Sequence, residues 1–290
     1  MDFANPDALV STRWLASHLE SPDGGVPEIS VVDASFWLPV SQRHAHEEYL
    51  EGHIPGAVFL DIDDVADQHT DLPHMLPAPE VFADKVGRLG LGDDRHIVVY
   101  DNAGGAAAAA RVWWMFRLFG HRRVAVLNGG FPRWLRERRP VSDVVPTPEF
   151  RIFTPRPDYG LRRTLDEVCA DMESHPRQIL DARSPGRFAG HEPEPRAVPR
   201  HGHIPGSINV PFLDLLDRRE MTFLSAETIA ARFAEAGCAL DQKLVVTCGS
   251  GVTSCLLALG LYLIGKTDVA NYDGSWAEWT HHTELPIETA

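Results

Sequence analysis

The sequence predicts an α/β protein of two tandem domains, each a mostly parallel sheet flanked by helices. Three observations carry that expectation. The chain repeats itself at domain scale, each copy alternates short Val/Ile runs with helical stretches, and a proline-rich segment lies between the copies.

The repeat is seen in four pairs of segments that occur in the same order. GHIPGAVFLDI at 52–62 returns as GHIPGSINVPF at 202–212, and VVDAS at 31–35 returns as ILDAR at 179–183. IVVYDNAGG at 97–105 matches LVVTCGSGV at 244–252, and LNGGFPRW at 127–134 matches YDGSWAEW at 272–279. The copies are offset by about 150 residues, far more than a solenoid unit, so each is a domain. A chain of 290 residues accommodates two cores of that size. Residues 139–160, RPVSDVVPTPEFRIFTPRPDYG, hold five prolines and no helical period. They read as an extended linker, because proline fixes φ and lacks an N–H. The expected boundaries are 1–140 for the first domain, 141–160 for the linker and 161–290 for the second.

The elements follow in order. STRWLASHL opens at Ser11 or Thr12 as N-cap and keeps apolar residues at helical spacing. The strand candidates of the first copy are ISVVD, AVFLD, HIVVYD and VAVLN, with the helix PEVFADKVGRLG between them. The second copy opens on Thr164-Leu-Asp-Glu167, a capping box. QILD, SINV, KLVVT and DVANYD are its strands, with the helix SAETIAARFAEAG among them. Gly90 and Gly237 fit helix C′ positions, where a left-handed residue ends the helix. Short apolar strands separated by helices mean a parallel sheet covered on both faces.

Composition narrows the function. Lys and Arg number 27 against 41 Asp and Glu, a net charge of −14. Such a surface repels phosphate backbones, which argues against nucleic acid, and a small anionic substrate would need local arginines. The N-terminal residues lack a basic stretch followed by an apolar one, and the longest apolar run, CLLALGLYLI at 255–264, is about half a membrane span. A cytoplasmic protein with no membrane contact is expected. Four cysteines, Cys169, Cys238, Cys248 and Cys255, show no CxxC pair and read as reduced thiols.

VVTCGSGVTSC at 245–255 runs an apolar strand into Cys248 and then into the apolar stretch TSCLLALGLYLIG. Ligands of parallel sheets bind beyond the carboxyl ends of strands, where Cys248 stands. Gly249 and Gly251 allow a tight turn whose N–H groups converge with a helix N-terminus on one concavity. That cup stabilises a thiolate, lowering the pKa from about 8.5, and would equally hold a persulfide anion. The other three cysteines lie in apolar helical patterns and read as small buried side chains. In the first copy Asp101 occupies the place of Cys248, so that domain is expected to be catalytically silent and to wall the site.

The paired GHIPG motifs, the duplication and CGSGVT resemble the tandem rhodanese-like sulfurtransferases over nearly the whole chain. The loop is similar to that of the family's 3-mercaptopyruvate sulfurtransferases. The thiosulfate version carries basic residues after the cysteine, as in CRKGVT, where this chain has Gly249 and Ser250. The resemblance implies sulfur transfer from mercaptopyruvate through a Cys248 persulfide to a thiol, with release of pyruvate. Thioredoxin is a possible acceptor and cyanide an assay acceptor, with thiosulfate as the alternative donor. It implies no cofactor and a monomer suffices. DARSPGRFAGHEPEPR at 181–196 is similar to the family's DAR…GRF…EPEPR segment, which implies Arg187 and Arg196 as carboxylate-binding residues. On the residues alone that segment also fits a solvated, proline-rich loop. The resemblance further implies an assisting set of Ser250, His74 and Asp61, the last two reaching across from the first domain. On residues alone, His74 fits equally a packing role against the second domain. Gly249, Gly251, Val252 and Thr253 complete the expected substrate loop. His53 and His203 recur in both copies and read as structural ties.

Three rival readings are weaker. A cysteine-dependent phosphatase needs C-x5-R, and Ser254 stands where that arginine would be. A non-catalytic scaffold would dispense with the cysteine in both copies. A metal site is disfavoured, since no histidine pair sits at ligand spacing with a cysteine pair, and His44 and His46 in RHAHEE read as solvated surface.

Overall fold

The computed structural model describes residues 2–19, 28–105, 107–174 and 177–289. In the first half, β1 (Leu9–Val10) leads into α1 (Thr12–Leu19), β2 (Ile29–Asp33), α2 (Ala45–Glu51), β3 (Val58–Phe59) and α3 (Ile62–Val65). Then come α4 (Pro79–Arg88), β4 (His96–Tyr100), α5 (Ala107–Leu118), β5 (Val124–Leu127) and α6 (Gly130–Arg136). The second half repeats the plan with β6 (Arg162–Arg163), α7 (Leu165–Ser174), β7 (Arg177–Asp181), α8 (Pro185–Phe188) and β8 (Ile208–Asn209). It ends with α9 (Ala226–Glu235), β9 (Lys243–Thr247), α10 (Ser254–Leu263), β10 (Ala270–Tyr272) and α11 (Ser275–Trp279).

Each half forms a five-stranded sheet, ordered β1-β5-β4-β2-β3 and β6-β10-β9-β7-β8. Every strand pair is parallel. The two orders are the same permutation, as the duplication requires. The central strands β4 and β9 are buried almost throughout, and helices cover both faces. Helices α5 and α10 pack against each other and join the two halves into one apolar core. Trp113 and Leu257 are both buried in that core.

The local signals do what their chemistry dictates. Ser11 Oγ accepts the Trp14 amide at 3.1 Å, so it is the cap of α1. Thr164 and Glu167 exchange bonds at 2.8 and 3.4 Å, closing the capping box. Gly90 and Gly237 end their helices at φ +71° and +88°. The strands β3 and β8 are shorter than their apolar runs, because each pairs on one side only at a sheet edge.

The interdomain segment carries no regular element before a short 3₁₀ turn at Tyr159–Leu161, but it is bound along its length. Ser142 pairs with His53, Arg151 N donates to Gly87 O at 3.0 Å, and Arg156 N donates to Phe119 O at 2.8 Å. It is a strap on the first domain rather than a free spacer. His53 is fully buried with its ring nitrogens on Tyr49 O and Val144 O, and His203 Nδ1 lies 2.8 Å from Phe188 O. Both are structural ties remote from the cysteine.

Candidate active site

The loop after β9 is shaped by where its carbonyls go. Cys248 O and Gly249 O accept the Trp276 and Ala277 amides of α11 at 3.1 and 2.9 Å. Gly251 O accepts Arg111 Nη1 at 3.1 Å and Asn271 Nδ2 at 3.0 Å. With the carbonyls tied outward, the amides of Ser250 and Ser254 turn inward to the Cys248 sulfur. Gly251 takes φ +73°, and a Cβ there would lie 2.6 Å from Asp273 O. This glycine bends the loop and does not line the cavity. Gly249 serves differently: a Cβ would lie 2.7 Å from Arg187 Nη2, so its bareness lets that arginine lie against the loop.

The Cys248 side chain is 1 % exposed and lines a cavity of about 220 Å³ between the two domains. Burial works to raise its pKa. Hydroxyl donors on Ser254 and Thr253, with the Ser254 and Ser250 amides, outweigh it and hold the thiol below its ordinary value. The Ser254 hydroxyl stands 3.4 Å from the sulfur and 2.7 Å from Asn271 Oδ1. It has one proton to give, and a charged thiolate is the stronger claimant. Burial pushes Cys238 up to about 11, and also raises Cys169 and Cys255. One thiol of the four has its pKa lowered rather than raised.

Arg187 and Arg196 both line the cavity. Glu194, buried beneath them, takes Arg187 Nε at 3.0 Å and also Arg187 Nη2, while its other oxygen takes Arg183 Nη1 at 2.8 Å. Arg183 in turn clasps Asp181. This buried ladder fixes the plane of the Arg187 guanidinium. Arg196 Nη2 lies 2.7 Å from His74 Nε2, and its Nε is buried with no hydrogen-bond partner among the described residues.

His74 also lines the cavity, with a left-handed backbone at φ +61°. Arg111 Nη2 holds its carbonyl at 2.5 Å. Its Nδ1 lies 2.8 Å from Asp63 Oδ1. Arginine can only donate, so Nε2 is an acceptor and the ring proton sits on Nδ1, towards Asp63. Burial depresses the His74 pKa, Asp63 opposes it, and Arg196 and Arg111 add to the depression.

The carboxylate beside His74 is therefore Asp63 and not the expected Asp61. Asp61 is exposed, caps α3 by accepting the Asp63 amide at 2.9 Å, and faces a separate surface hollow. Both carboxylates lie at the surface, Asp63 with its side chain 59 % exposed, but Asp61 spends its oxygen on the cap of α3 while Asp63 reaches the Nδ1 edge of His74. Ser250 lines the cavity, as do Val252 and Thr253, but no hydrogen bond joins Ser250 to His74 among the described residues. The residues that sequence reasoning passed over are Asp63, Glu194, Ser254, Arg111 and Asp273. Arg111 had a legible signal, a lone charge inside the apolar run AAAARVWWMF.

In the first domain Asp101 fills the equivalent cup. Its carboxyl accepts the Gly104 amide at 3.1 Å and the Ala109 amide at 3.2 Å, and burial pushes its pKa up to about 6. Together with Phe36 and Ala108 it walls the cavity opposite the sulfur.

Comparison with known proteins agrees with this geometry. The rhodanese-like domain model matches residues 12–137 and 164–282. A human protein named 3-mercaptopyruvate sulfurtransferase is 46 % identical over 94 % of this chain and 91 % of its own length. A Bos taurus protein named thiosulfate sulfurtransferase is also 46 % identical, over 97 % of this chain and 94 % of its own. The crystal structure of SseA from Escherichia coli, described as showing the rhodanese fold of 3-mercaptopyruvate sulfotransferases, superposes with a TM-score of 0.83. It is 36 % identical and covers 93 % of this chain and 98 % of that one. With two matched copies, one cup holding a carboxyl and the other a reactive sulfur, this chain belongs to the rhodanese-like domain family.

Proposed function

We propose that the protein is a sulfurtransferase that takes sulfur from 3-mercaptopyruvate on Cys248 and passes it to a thiol. The observation that carries this reading is the sulfur itself: Cys248 alone among the four cysteines is held below its ordinary pKa, and it opens on a small cavity flanked by two arginines. The names of the human and E. coli relatives support the donor.

The substrate carboxylate is taken by Arg196 and by the outer edge of Arg187, whose inner edge is spent on Glu194. Arginine suits a planar carboxylate by its fork of donors. As Arg196 turns to the carboxylate it leaves His74 Nε2 free to accept a proton. The Cys248 thiolate attacks the substrate sulfur, the C–S bond breaks, and its electron pair becomes the enolate of pyruvate. A proton relayed through Ser250 and His74 converts the enolate to pyruvate. The Cys248 persulfide keeps the hydroxyl and amide donors of the cup, and its outer sulfur then passes to an attacking thiol. Thioredoxin is a fitting acceptor, cyanide an assay acceptor, and a monomer contains the whole site. Four unpaired thiols suit a reducing compartment such as the cytoplasm. Among the described residues no helix is long and apolar enough to cross a membrane.

A second donor, thiosulfate, is favoured by the name of the equally similar Bos taurus relative. It carries a dianion to a loop that offers Gly249 and Ser250 rather than cations, so mercaptopyruvate is the better fit. Side-by-side kinetics decide: mercaptopyruvate is expected to exceed thiosulfate in kcat/KM, and the reverse order would move the assignment to thiosulfate. Cys248→Ser is expected to abolish transfer from both donors in a folded protein; retained turnover would refute the nucleophile.

A further inference from the structure

At the pole of the molecule opposite Cys248 lies a second cleft, of about 710 Å³, in the seam between the domains. Five cations line it: Arg117, Arg122, Arg156, Arg177 and Lys243. Lys243 and Arg177 begin β9 and β7, and the reactive cysteine follows the far end of β9. Five residues at about 3.3 Å each put roughly 16 Å between Lys243 and Cys248. Arg122 precedes β5 of the first domain, and Arg156 belongs to the interdomain strap, so both domains and the strap contribute.

The charge here runs against the molecule as a whole, which carries −14. Arg122, Arg156 and Lys243 have no ion pair and no side-chain hydrogen bond among the described residues. Arg177 shares Asp171 with Arg163, at 3.6 and 3.2 Å respectively. Arg117 lies over the Tyr262 ring, 3.9 Å from its centroid, and has no carboxylate among the described residues. The cleft also holds two acids, so cations outnumber them five to two: Asp158 Oδ1 accepts the Gly160 amide at 3.0 Å, and Asp268 pairs with Lys266 at 3.0 Å and acts on Arg177 as well. Neighbouring like charges without partners repel one another, and an acidic chain that assembles them gains most from a compact anion of several charges.

We propose that this cleft binds a multiply charged phosphate ester of nucleotide size. The volume is that of a small-molecule site and exceeds what a single inorganic phosphate fills. The planar donors of four arginines match phosphate oxygens in bidentate fashion. A polynucleotide is disfavoured, because its charge would meet the acidic surface beyond the cleft. Since the ligand would touch both domains and the strap, it would also stabilise their docking.

The test uses the full chain and two probes, ADP and inorganic pyrophosphate, by calorimetry and thermal denaturation at low salt. Both are expected to bind with a Kd below about 1 mM, to raise Tm, and to weaken as KCl is raised. The Arg156→Gln/Lys243→Gln double variant, altered at two exposed side chains, is expected to lose at least tenfold in affinity while keeping its sulfur-transfer rate. ADP binding more tightly than pyrophosphate would assign part of the recognition to the nucleoside, and equal binding would assign it to the phosphates alone; either supports the site. Absence of binding would overturn the proposal, as would undiminished binding in the double variant, equal affinity for sulfate, or a preference for single-stranded RNA. Arg196→Ala separates the two sites. If it abolishes binding, the anion sits beside Cys248 and the proposal fails, whatever the donor assays show.

Discussion

Arg111 and Asp273 form an ion pair across the domain boundary, Nη1 to Oδ1 at 2.7 Å, with both side chains at most 3 % exposed. The pair is a joint as well as a bond. Arg111 holds the carbonyls of His74 and Gly251, and Asp273 Oδ2 accepts the Leu76 amide at 2.8 Å. The loop bearing the histidine and the loop bearing the cysteine are thus fixed to the same two side chains. Burial opposes the charge on Arg111, and Asp273 more than compensates, so the guanidinium is held above its ordinary pKa.

Arg111→Gln is therefore expected to cost about 3–5 kcal/mol, because it leaves Asp273 charged, buried and alone. Adding Asp273→Asn should recover much of the loss. Urea denaturation of the two single variants and the double variant measures the coupling. Additive losses would show that the pair contributes nothing as a pair. Activity should stay low in the double variant even as stability returns, since the two loops lose their common anchor.

Asp63 and Asp61 make opposite predictions for two residues that stand close in sequence. Asp63→Asn should lower kcat at least tenfold, whereas Asp61→Asn should remove only a helix cap and leave kcat near wild type. The pH profile adds a sign. Burial depresses the His74 pKa and Asp63 opposes that depression, so loss of Asp63 lowers the pKa further. The acid limb of kcat/KM should then move to lower pH as the plateau falls. An unmoved limb would remove His74 from the rate equation.

Ser254 is the donor whose removal should be felt directly at the sulfur. Burial raises the Cys248 pKa and the Ser254 hydroxyl is the largest influence against it, so Ser254→Ala should shift the alkylation midpoint upward. Iodoacetamide labelling across pH, read by mass spectrometry at Cys248, gives the midpoint. A midpoint that stays in place would mean that the amides alone hold the thiolate.

The pattern of what was legible follows from the range of the interactions. The two-domain α/β plan, the capping box at Thr164 and the C′ glycines at 90 and 237 depend on neighbours within a few residues, so local spacing reveals them. The strand–cysteine–glycine turn is equally local. Asp63 against Asp61 is a question of which of two exposed carboxylates reaches His74, and apolar patterning does not resolve that within a one-turn helix. The joint of Arg111 with Asp273 brings together distant stretches, and the ladder Asp181–Arg183–Glu194–Arg187, though confined to residues 181–194, is built in a loop without periodic spacing. Their only trace in the sequence is charge where apolar residues would be expected.

Asp101 offers a prediction about the first domain. Its cup has the form of the catalytic one but holds a carboxyl, 1 % exposed, with its pKa pushed from 3.8 to about 6 by burial, against the bonds from Ala109 and Gly104, with the neighbouring charge of Asp33 adding to the rise. A folded-state pKa raised above the unfolded one means that the folded protein holds the proton more tightly. The contribution is complete below pH 3.8 and is lost as pH rises through about 6. A shift of this size corresponds to about 3 kcal/mol. Asp101→Asn keeps an acceptor for the loop amides and does not titrate. Stability of wild type relative to Asp101→Asn should therefore fall by about 3 kcal/mol between pH 3.5 and 7, with other titrations cancelling in the difference. A difference that is flat across that range would show that folding leaves the Asp101 pKa unshifted. The amides of the first cup would then offset the cost of burying the carboxylate, as the hydroxyl and amide donors of the second offset the burial of Cys248.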